Sequence, residues 1–437
     1  MARYRTRVTW DTETGSPPRW SSLLLVLLIA LGLRLGWALS RPVTDASIDA
    51  LPDQRNYLSI AENLIHGRGM QFLDKRFGDA VYAYRTPGYP VFVAALGAKV
   101  RVIRGVQAIL DAATVLAIFL LTFALTGRQR AALCAAVLVA INPYLIYFTA
   151  LVLSETLFAA MLAWGMWLLV IGNSARSPGR ATLLWLGGAV LLTLSVLVRP
   201  SAIALPLVLG LACMFLNRAS GTTYSSEATE KPSLGPGAWP FPVGWTMVGL
   251  LLLCLLPWAA RNRAILGRWV WLDTNGGFTF YDGYNPDATG ASDQRFIERE
   301  PELQALGEVG RSEYLTQKAV DYAKANPLRV WDLIGAKLAR TWSPVPLSEE
   351  YHRPALMLVS IAYSIPFYAL VLLGMSRGNL SRSAKVFLLA PAVYFSIIHA
   401  LTVGSLRYRI PAEPPMAVIA AGLVGTWGGS GRRAPSE

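Results

Sequence analysis

Apolar runs too long and too poor in charge for the interior of a water-soluble domain recur along this chain. They cover 21–39, 104–127, 131–172, 181–198, 201–216, 243–260, 354–376, 384–406 and 411–427. Charged residues make up only 15% of the 437, against roughly a quarter in soluble domains. A chain of this kind is an integral, multi-pass membrane protein. A cytosolic enzyme, a disordered scaffold and a secreted disulfide module are excluded. Run 131–172 is long enough for two helices with a turn near Asn142-Pro143, so the expected fold is an all-α polytopic bundle of about ten transmembrane helices. Several runs fall short of the ~20 residues a perpendicular crossing needs. Short, proline-interrupted helices suit the wall of a cavity better than a bundle facing lipid all round. Cys134, Cys213 and Cys254 lie inside apolar runs, with neither zinc nor disulfide spacing.

Charge sets the expected topology. The net charge of +13 reads as Lys and Arg retaining short loops in the cytoplasm rather than as a nucleic-acid surface. The first run reads as a signal anchor, with residues 1–19 as a cytoplasmic tail. A transmembrane module over 20–260 then includes a long outer loop, 41–102. A second extracytoplasmic region spans 261–353, C-terminal membrane helices 354–428, and a cytoplasmic tail 429–437. Both termini fall inside and both long loops outside. Within 41–102, Tyr57, Ile60, Ala61 and Leu64 share a helical face, which Gly67 and Gly69 end. Asn326-Pro327 reads as an N-cap and first helical residue, and Trp331, Leu338 and Trp342 predict a helix lying on the bilayer surface. Residues 219–237, rich in Ser, Thr, Gly and Pro, read as a flexible cytoplasmic linker.

No phosphate-binding loop, dinucleotide fingerprint, zinc-protease site or nucleophile elbow is present. His66, His352 and His399 are scattered, and His399, in an apolar run, reads as a structural histidine. The distinctive feature is polar chemistry at the outer helix ends: Asp53, Arg85, Glu155, Arg199, Arg261, Arg407 and Arg409. Arg104, Gln107 and Asp111 are spaced to share one helix face. Ionisable groups inside membrane helices are costly and point to function. Converging arginines and carboxylates suit an anionic substrate and an acid–base step. The plainer alternative is that each carboxylate is solvated or paired, with Asp45 and Asp49 competing with Asp53, and that each arginine snorkels to lipid phosphate.

Three segments, PDQRNYLSIAENLIHGRGM, YRTPGYPVFVAAL and INPYLIYFTALVLSETLF, together resemble the N-terminal half of the bacterial relatives of protein O-mannosyltransferases. That group includes the lipid A aminoarabinose transferases of the GT-C glycosyltransferase superfamily. PWAARNRAILGRWVWLDTNGGFTFYDGYNPDATG and LRYRIPAEPP are also similar to this branch, and the resemblance covers most of 20–425. It implies a GT-C-like bundle in the cell (inner) membrane that moves a hexosyl or pentosyl group from a polyprenyl-phosphate donor to an acceptor hydroxyl on the outer face. It implies Asp53 as the catalytic residue. Many members carry Asp-Glu there; this chain has Asp53-Gln54, which makes Glu155 the candidate second carboxylate. Tyr57, Arg85, Asp111, Arg199, Arg407 and Arg409 are the candidate substrate-binding residues. The chemistry agrees: a base takes the acceptor's proton, arginines hold the departing phosphate, and a single displacement inverts the sugar. No cofactor is implied, and a divalent metal, while not excluded, has no support in the sequence. The expected partners are the lipid-linked sugar, the bilayer and an acceptor glycan, lipid or protein, with no nucleic acid. The alternatives are a polysaccharide polymerase or ligase with diphosphate-linked donors, and an anionic-lipid transporter or flippase, which would carry mid-membrane polar groups and often inverted repeats.

Overall fold

The computed structural model describes residues 20–175, 177–216, 242–347 and 354–424. The expected tails 1–19 and 429–437 and the linker 219–237 lie outside the described residues.

Backbone polar groups in hydrocarbon must be satisfied within the segment, so apolar runs become helices. The first is α1 (Trp20–Ser40). A long connection follows, with α2 (Asp45–Asp49), α3 (Pro52–Ile65), the hairpin strands β1 (Phe72–Asp74) and β2 (Asp79–Val81), and α4 (Gly88–Ala95). The bundle continues as α5 (Val100–Thr126), α6 (Gln129–Ala140), α7 (Pro143–Phe148), α8 (Glu155–Asn173), α9 (Pro178–Val198), α10 (Leu205–Met214) and α11 (Val243–Leu266). The second long connection holds α12 (Asn275–Gly283), α13 (Glu308–Ala325) and α14 (Pro327–Thr341). The chain closes with α15 (Pro354–Arg377), α16 (Arg382–Ala400) and α17 (Glu413–Ala421).

Among the described residues, seven helices are long and apolar enough to cross a membrane: α1, α5, α8, α9, α11, α15 and α16. The other three expected crossings are short. α6 has 12 residues, α10 has 10 and α17 has 9. Every residue of α17 is buried, so it is enclosed by the bundle rather than facing lipid. The fold is an all-α polytopic membrane bundle. α8 and α9 touch closely because Gly172 has no side chain: a Cβ there would come within 2.6 Å of the Trp185 amide nitrogen. Small residues at such contacts let membrane helices approach.

Two boundaries differ from the sequence reading. α11 does not stop at residue 260 but runs to Leu266, where Gly267 adopts φ 70°. α16 ends at Ala400 instead of continuing to 406. The chain leaves the helix there because Gly404 lies against the α14 backbone: a Cβ at Gly404 would sit 2.4 Å from the Lys337 carbonyl oxygen. The released segment carries Arg407 and Arg409.

Connectivity places the two long connections at one end of the bundle, where they share a second apolar core that includes Phe72, Tyr84, Phe278 and Leu315. Glu308 ties them together, accepting from the Tyr82 and Ala83 amides at 2.6 and 2.8 Å and from Thr274 Oγ1 at 2.7 Å. Arg261 donates to the Tyr82 and Met70 carbonyls, both at 2.7 Å, and so braces this region. α14 is amphipathic, with Leu328 and Trp331 exposed and Lys337 buried; of the other two residues expected on the bilayer surface, Leu338 is half-buried, and Trp342 packs against the bundle core and donates to Ser396 Oγ at 2.9 Å. Asn326 marks its start, but the Asn326 side chain instead donates back to the Tyr322 carbonyl at 2.9 Å.

Candidate active site

A cavity of about 2280 Å³ opens where the long connections meet the helix ends. Asp53 enters it from the first turn of α3, and Arg85 from the segment before α4. Arg199 enters from the end of α9, and Arg407 from the segment after α16. Glu155, the first residue of α8, lies directly behind them and is 1% exposed.

These five residues form one alternating row. Arg85 Nη2 donates to Asp53 Oδ1, and Arg407 Nη1 donates to Asp53 Oδ2 at 3.0 Å. Arg407 Nε donates to Glu155 Oε1 at 2.7 Å, and Arg199 Nη1 lies 3.2 Å from the same oxygen. Within the row three guanidinium groups thus face two carboxylates, and Asp273 stands near Arg85 as a third acid. Arg85 Nε, Arg199 Nη1 and Glu155 Oε2 are buried with no hydrogen-bond partner among the described residues. Burial alone would raise the Asp53 carboxyl, but Arg85 and Arg407 outweigh it and hold it well below the usual carboxylate range. Tyr57 lines the cavity too, with its ring 5.4 Å from the Arg85 guanidinium and edge-on to Tyr89 at 4.7 Å.

Gln54 faces away from this row. It is fully buried; its amide nitrogen donates to the Ser47 and Ile48 carbonyls and its oxygen accepts from the Val152 amide at 2.9 Å. A glutamate at 54 could not make those two donations. The glutamine therefore braces the Asp53 turn against the segment leading into Glu155. Asp45 and Asp49 both pair with Arg55 at 2.7 Å, apart from the Arg85 and Arg407 guanidiniums that hold Asp53.

Two predicted substrate-binding residues lie apart from the cavity. Asp111 accepts from Arg34 inside the bundle, with both side chains fully buried. Arg409 pairs with Glu413 at 2.7 Å and donates to the Thr341 and Ser343 carbonyls. The helical spacing of Arg104, Gln107 and Asp111 does put them on one face, but that face is internal. Arg104 donates to the Arg41 carbonyl, and Gln107 to the Thr149 and Leu151 carbonyls.

Sequence reasoning did not single out Asp273, Ser201 or Tyr408, and read His399 as structural; all four line the cavity. Burial raises the Asp273 carboxyl to about 6, against the pull of Arg85 and the Gly276 and Asn275 amides. Its signal was its place just before Asn275-Gly276-Gly277, whose Gly276 amide it caps at 3.0 Å. Leu33 and Trp37 of α1, Ile146 of α7, and Leu356 and Val359 of α15 give the cavity an apolar side. Leu33 and Val359 are 43% and 50% exposed, so that side opens toward the surroundings of the bundle. Among the described residues, no three His, Cys, Asp or Glu side chains gather to hold a metal ion.

No protein-family model and no curated protein matches this chain. Solved structures do. One is the archaeal oligosaccharyltransferase AglB from Archaeoglobus fulgidus, in complex with an inhibitory peptide and a dolichol-phosphate: TM-score 0.52 at 15% identity, covering 92% of this chain and 50% of that one. The apo form of the Archaeoglobus fulgidus oligosaccharyltransferase gives 0.53 at 15% identity, over the same shares. ArnT from Cupriavidus metallidurans, bound to undecaprenyl phosphate, gives 0.51 at 14% identity, covering 93% of this chain and 60% of that one. The chain therefore spans only 50–60% of the length of the structures it resembles. At these identities the likeness is one of fold: this chain shares the membrane fold of these solved structures.

Proposed function

We propose that this protein is a membrane glycosyltransferase that moves a sugar from a polyprenyl-phosphate donor to an acceptor hydroxyl, with inversion, on the extracytoplasmic face of the cell membrane. The observation that carries this reading is the Arg85–Asp53–Arg407–Glu155–Arg199 row, three guanidiniums to two carboxylates, in which Arg85 Nε and Arg199 Nη1 are buried without a hydrogen-bond partner among the described residues. The similarity to enzymes solved with dolichol-phosphate and undecaprenyl phosphate supports the donor class. The apolar side between α1, α7 and α15 suits a lipid tail arriving from the bilayer, and the polar row then meets its phosphate.

The step follows from the row. The acceptor oxygen attacks the anomeric carbon, the bond from that carbon to the phosphate oxygen breaks, and the acceptor's proton passes to Asp53. Polyprenyl phosphate leaves with its charge held by Arg85, Arg199 and Arg407. Before the donor binds, Asp53 is a weak base because two guanidiniums hold it. The donor phosphate competes for Arg85 and Arg407, which loosens their hold and raises the basicity of Asp53. Glu155 stays behind Arg407 and Arg199 and aims them. With Asp273 protonated, the three arginines and the two carboxylates of the row leave one net positive charge, which matches a monoanionic phosphodiester better than a diphosphate. The charged groups that line the cavity gather at one end of the bundle, while the buried Arg34–Asp111 pair lies apart from it, which speaks against a transporter.

Purified protein in lipid, given a panel of polyprenyl-phosphate sugars and envelope extract as acceptor, tests this. Wild type is expected to release polyprenyl phosphate and Asp53→Asn is not, although it folds. If no monophosphate donor gives release, the reading fails.

A further inference from the structure

Among the described residues His399 belongs to no ion pair, yet it lines the same cavity while only 5% exposed. Its ring lies flat on Tyr408, with centroids 3.7 Å apart and planes 5° apart, and Phe395 stacks at 6.1 Å. Its Nδ1 is 3.4 Å from Thr402 Oγ1, and the Thr402 hydroxyl donates to the Ile398 carbonyl at 3.0 Å. A hydroxyl carries one proton. Thr402 therefore accepts from His399, and Nδ1 bears the ring proton. That leaves Nε2 as a bare lone pair, buried and without a hydrogen-bond partner among the described residues. Native structures rarely leave such an atom unpaired.

The neighbours of that lone pair narrow what it takes. Arg199 lies over the other partner of the stack, 5.4 Å from the Tyr408 ring, and Arg407 is the residue before Tyr408. Phosphate oxygens go to those guanidiniums. An acceptor nitrogen repels an anionic oxygen and selects a donated proton. We propose that His399 is a hydroxyl-reading residue: its Nε2 accepts a hydrogen bond from a sugar or acceptor hydroxyl, while Tyr408 and Thr402 fix the ring. This rests on the glycosyl-transfer reading, and it adds a specificity-determining contact that the phosphate row does not supply.

The test uses the full chain in nanodiscs and two variants. His399→Phe keeps the flat ring without the acceptor, and His399→Gln returns an acceptor oxygen near the Nε2 position. Affinities are measured for undecaprenyl phosphate and for its hexose-linked form. His399→Phe is expected to bind the plain carrier as wild type does. It should lose roughly 2- to 10-fold affinity for the sugar-linked carrier, the usual worth of one neutral hydrogen bond, and His399→Gln should recover most of that. If donor affinity holds while KM for the acceptor rises in His399→Phe and recovers in His399→Gln, the hydroxyl belongs to the acceptor. A His399→Phe variant unchanged in both respects, or equally weakened for the plain and sugar-linked carriers, overturns the proposal. Wild type that binds neither lipid overturns the glycosyl-transfer reading itself, an outcome distinct from either.

Discussion

Arg407 grips both carboxylates of the row with one guanidinium: Nη1 reaches Asp53 Oδ2 at 3.0 Å and Nε reaches Glu155 Oε1 at 2.7 Å. The planar fork fixes the distance between the two acids, which lie 102 residues apart in the chain. A lysine carries the same charge but is a point donor on a flexible stem and cannot span both. Arg407→Lys is therefore expected to lower kcat on the order of 100-fold, the scale of losing one charge-stabilising donor. Turnover of a polyprenyl-phosphate sugar, measured beside wild type of equal thermal stability, checks it.

Glu155 is buried between two arginines. Removing its charge strands them, and breaking a buried pair typically costs about 3–5 kcal/mol. Glu155→Gln is expected to lower both Tm and turnover, read by thermal unfolding in detergent and by donor consumption. Full turnover in this variant would return Glu155 to a purely structural role.

Asp273 gives the donor affinity a pH dependence whose sign is fixed. Its carboxyl is raised to about 6, so it is protonated below that pH and ionised above it. Ionised, it competes with an anionic donor for Arg85; protonated, it does not. Asp53 stays ionised throughout, because it is held well below the usual range. Donor affinity is expected to strengthen a few-fold as pH falls from about 7.5 to about 5. The folding contribution has the matching sign: a carboxyl raised on folding favours the folded state at low pH, and that contribution fades as pH rises toward 6. Asp282, raised by burial to about 6 as well, titrates in the same window. Asp273→Asn separates the two: it should lock in the tighter binding and flatten the affinity profile, measured by lipid binding across this range.

The sequence made the bundle legible because hydropathy reads burial in lipid directly. It also flagged Asp53, Arg85, Glu155, Arg199 and Arg407, because charges beside apolar runs are conspicuous. Helical spacing tells which residues share a face, not what that face meets. Asp111 looked like a member of the site, yet its partner is Arg34, a charge hidden inside the first apolar run. Arg409 sits two residues from Arg407, but the turn after α16 sends one into the cavity and the other to Glu413. His399 and Ser201 stand in apolar surroundings, and only the tertiary meeting of α16 with the Pro200–Ala202 turn after α9 makes them line a cavity. Asp273 lay within an Asn- and Gly-rich stretch that reads as turn chemistry, which it also is.

Lys337 is fully buried on the inner face of α14, with Nζ 3.5 Å from the Tyr284 ring centroid and no hydrogen-bond partner among the described residues. Burial pushes its amine down to about 7, against the pull of Asp282. Between about 7 and the ordinary value near 10.4, the unfolded chain holds a proton that the folded chain lacks. Stability should therefore rise with pH across that window. Lys337→Met removes the buried amine and keeps the volume. It is expected to raise Tm at neutral pH and to abolish the rise, read in thermal scans at several pH values.

The Arg34–Asp111 pair separates fold from site. Arg34 lies in α1 and Asp111 in α5; the guanidinium also donates to the Ala140 carbonyl at 2.8 Å and the Val139 carbonyl at 3.0 Å, so it ties α1 to α6 as well. Both side chains are fully buried, so bulk solvent reaches neither charge. Asp111→Asn is expected to cost about 3–5 kcal/mol of stability while leaving the affinity for a polyprenyl-phosphate sugar unchanged, since neither side chain lines the cavity. The double replacement Arg34→Met with Asp111→Leu removes both charges together and should recover much of that loss, as apolar replacements of buried pairs often do. Thermal unfolding of Arg34→Met alone, Asp111→Leu alone and the double, with donor affinity measured on each, gives the coupling between the charges. A drop in donor affinity at matched stability would place Asp111 back among the substrate-binding residues.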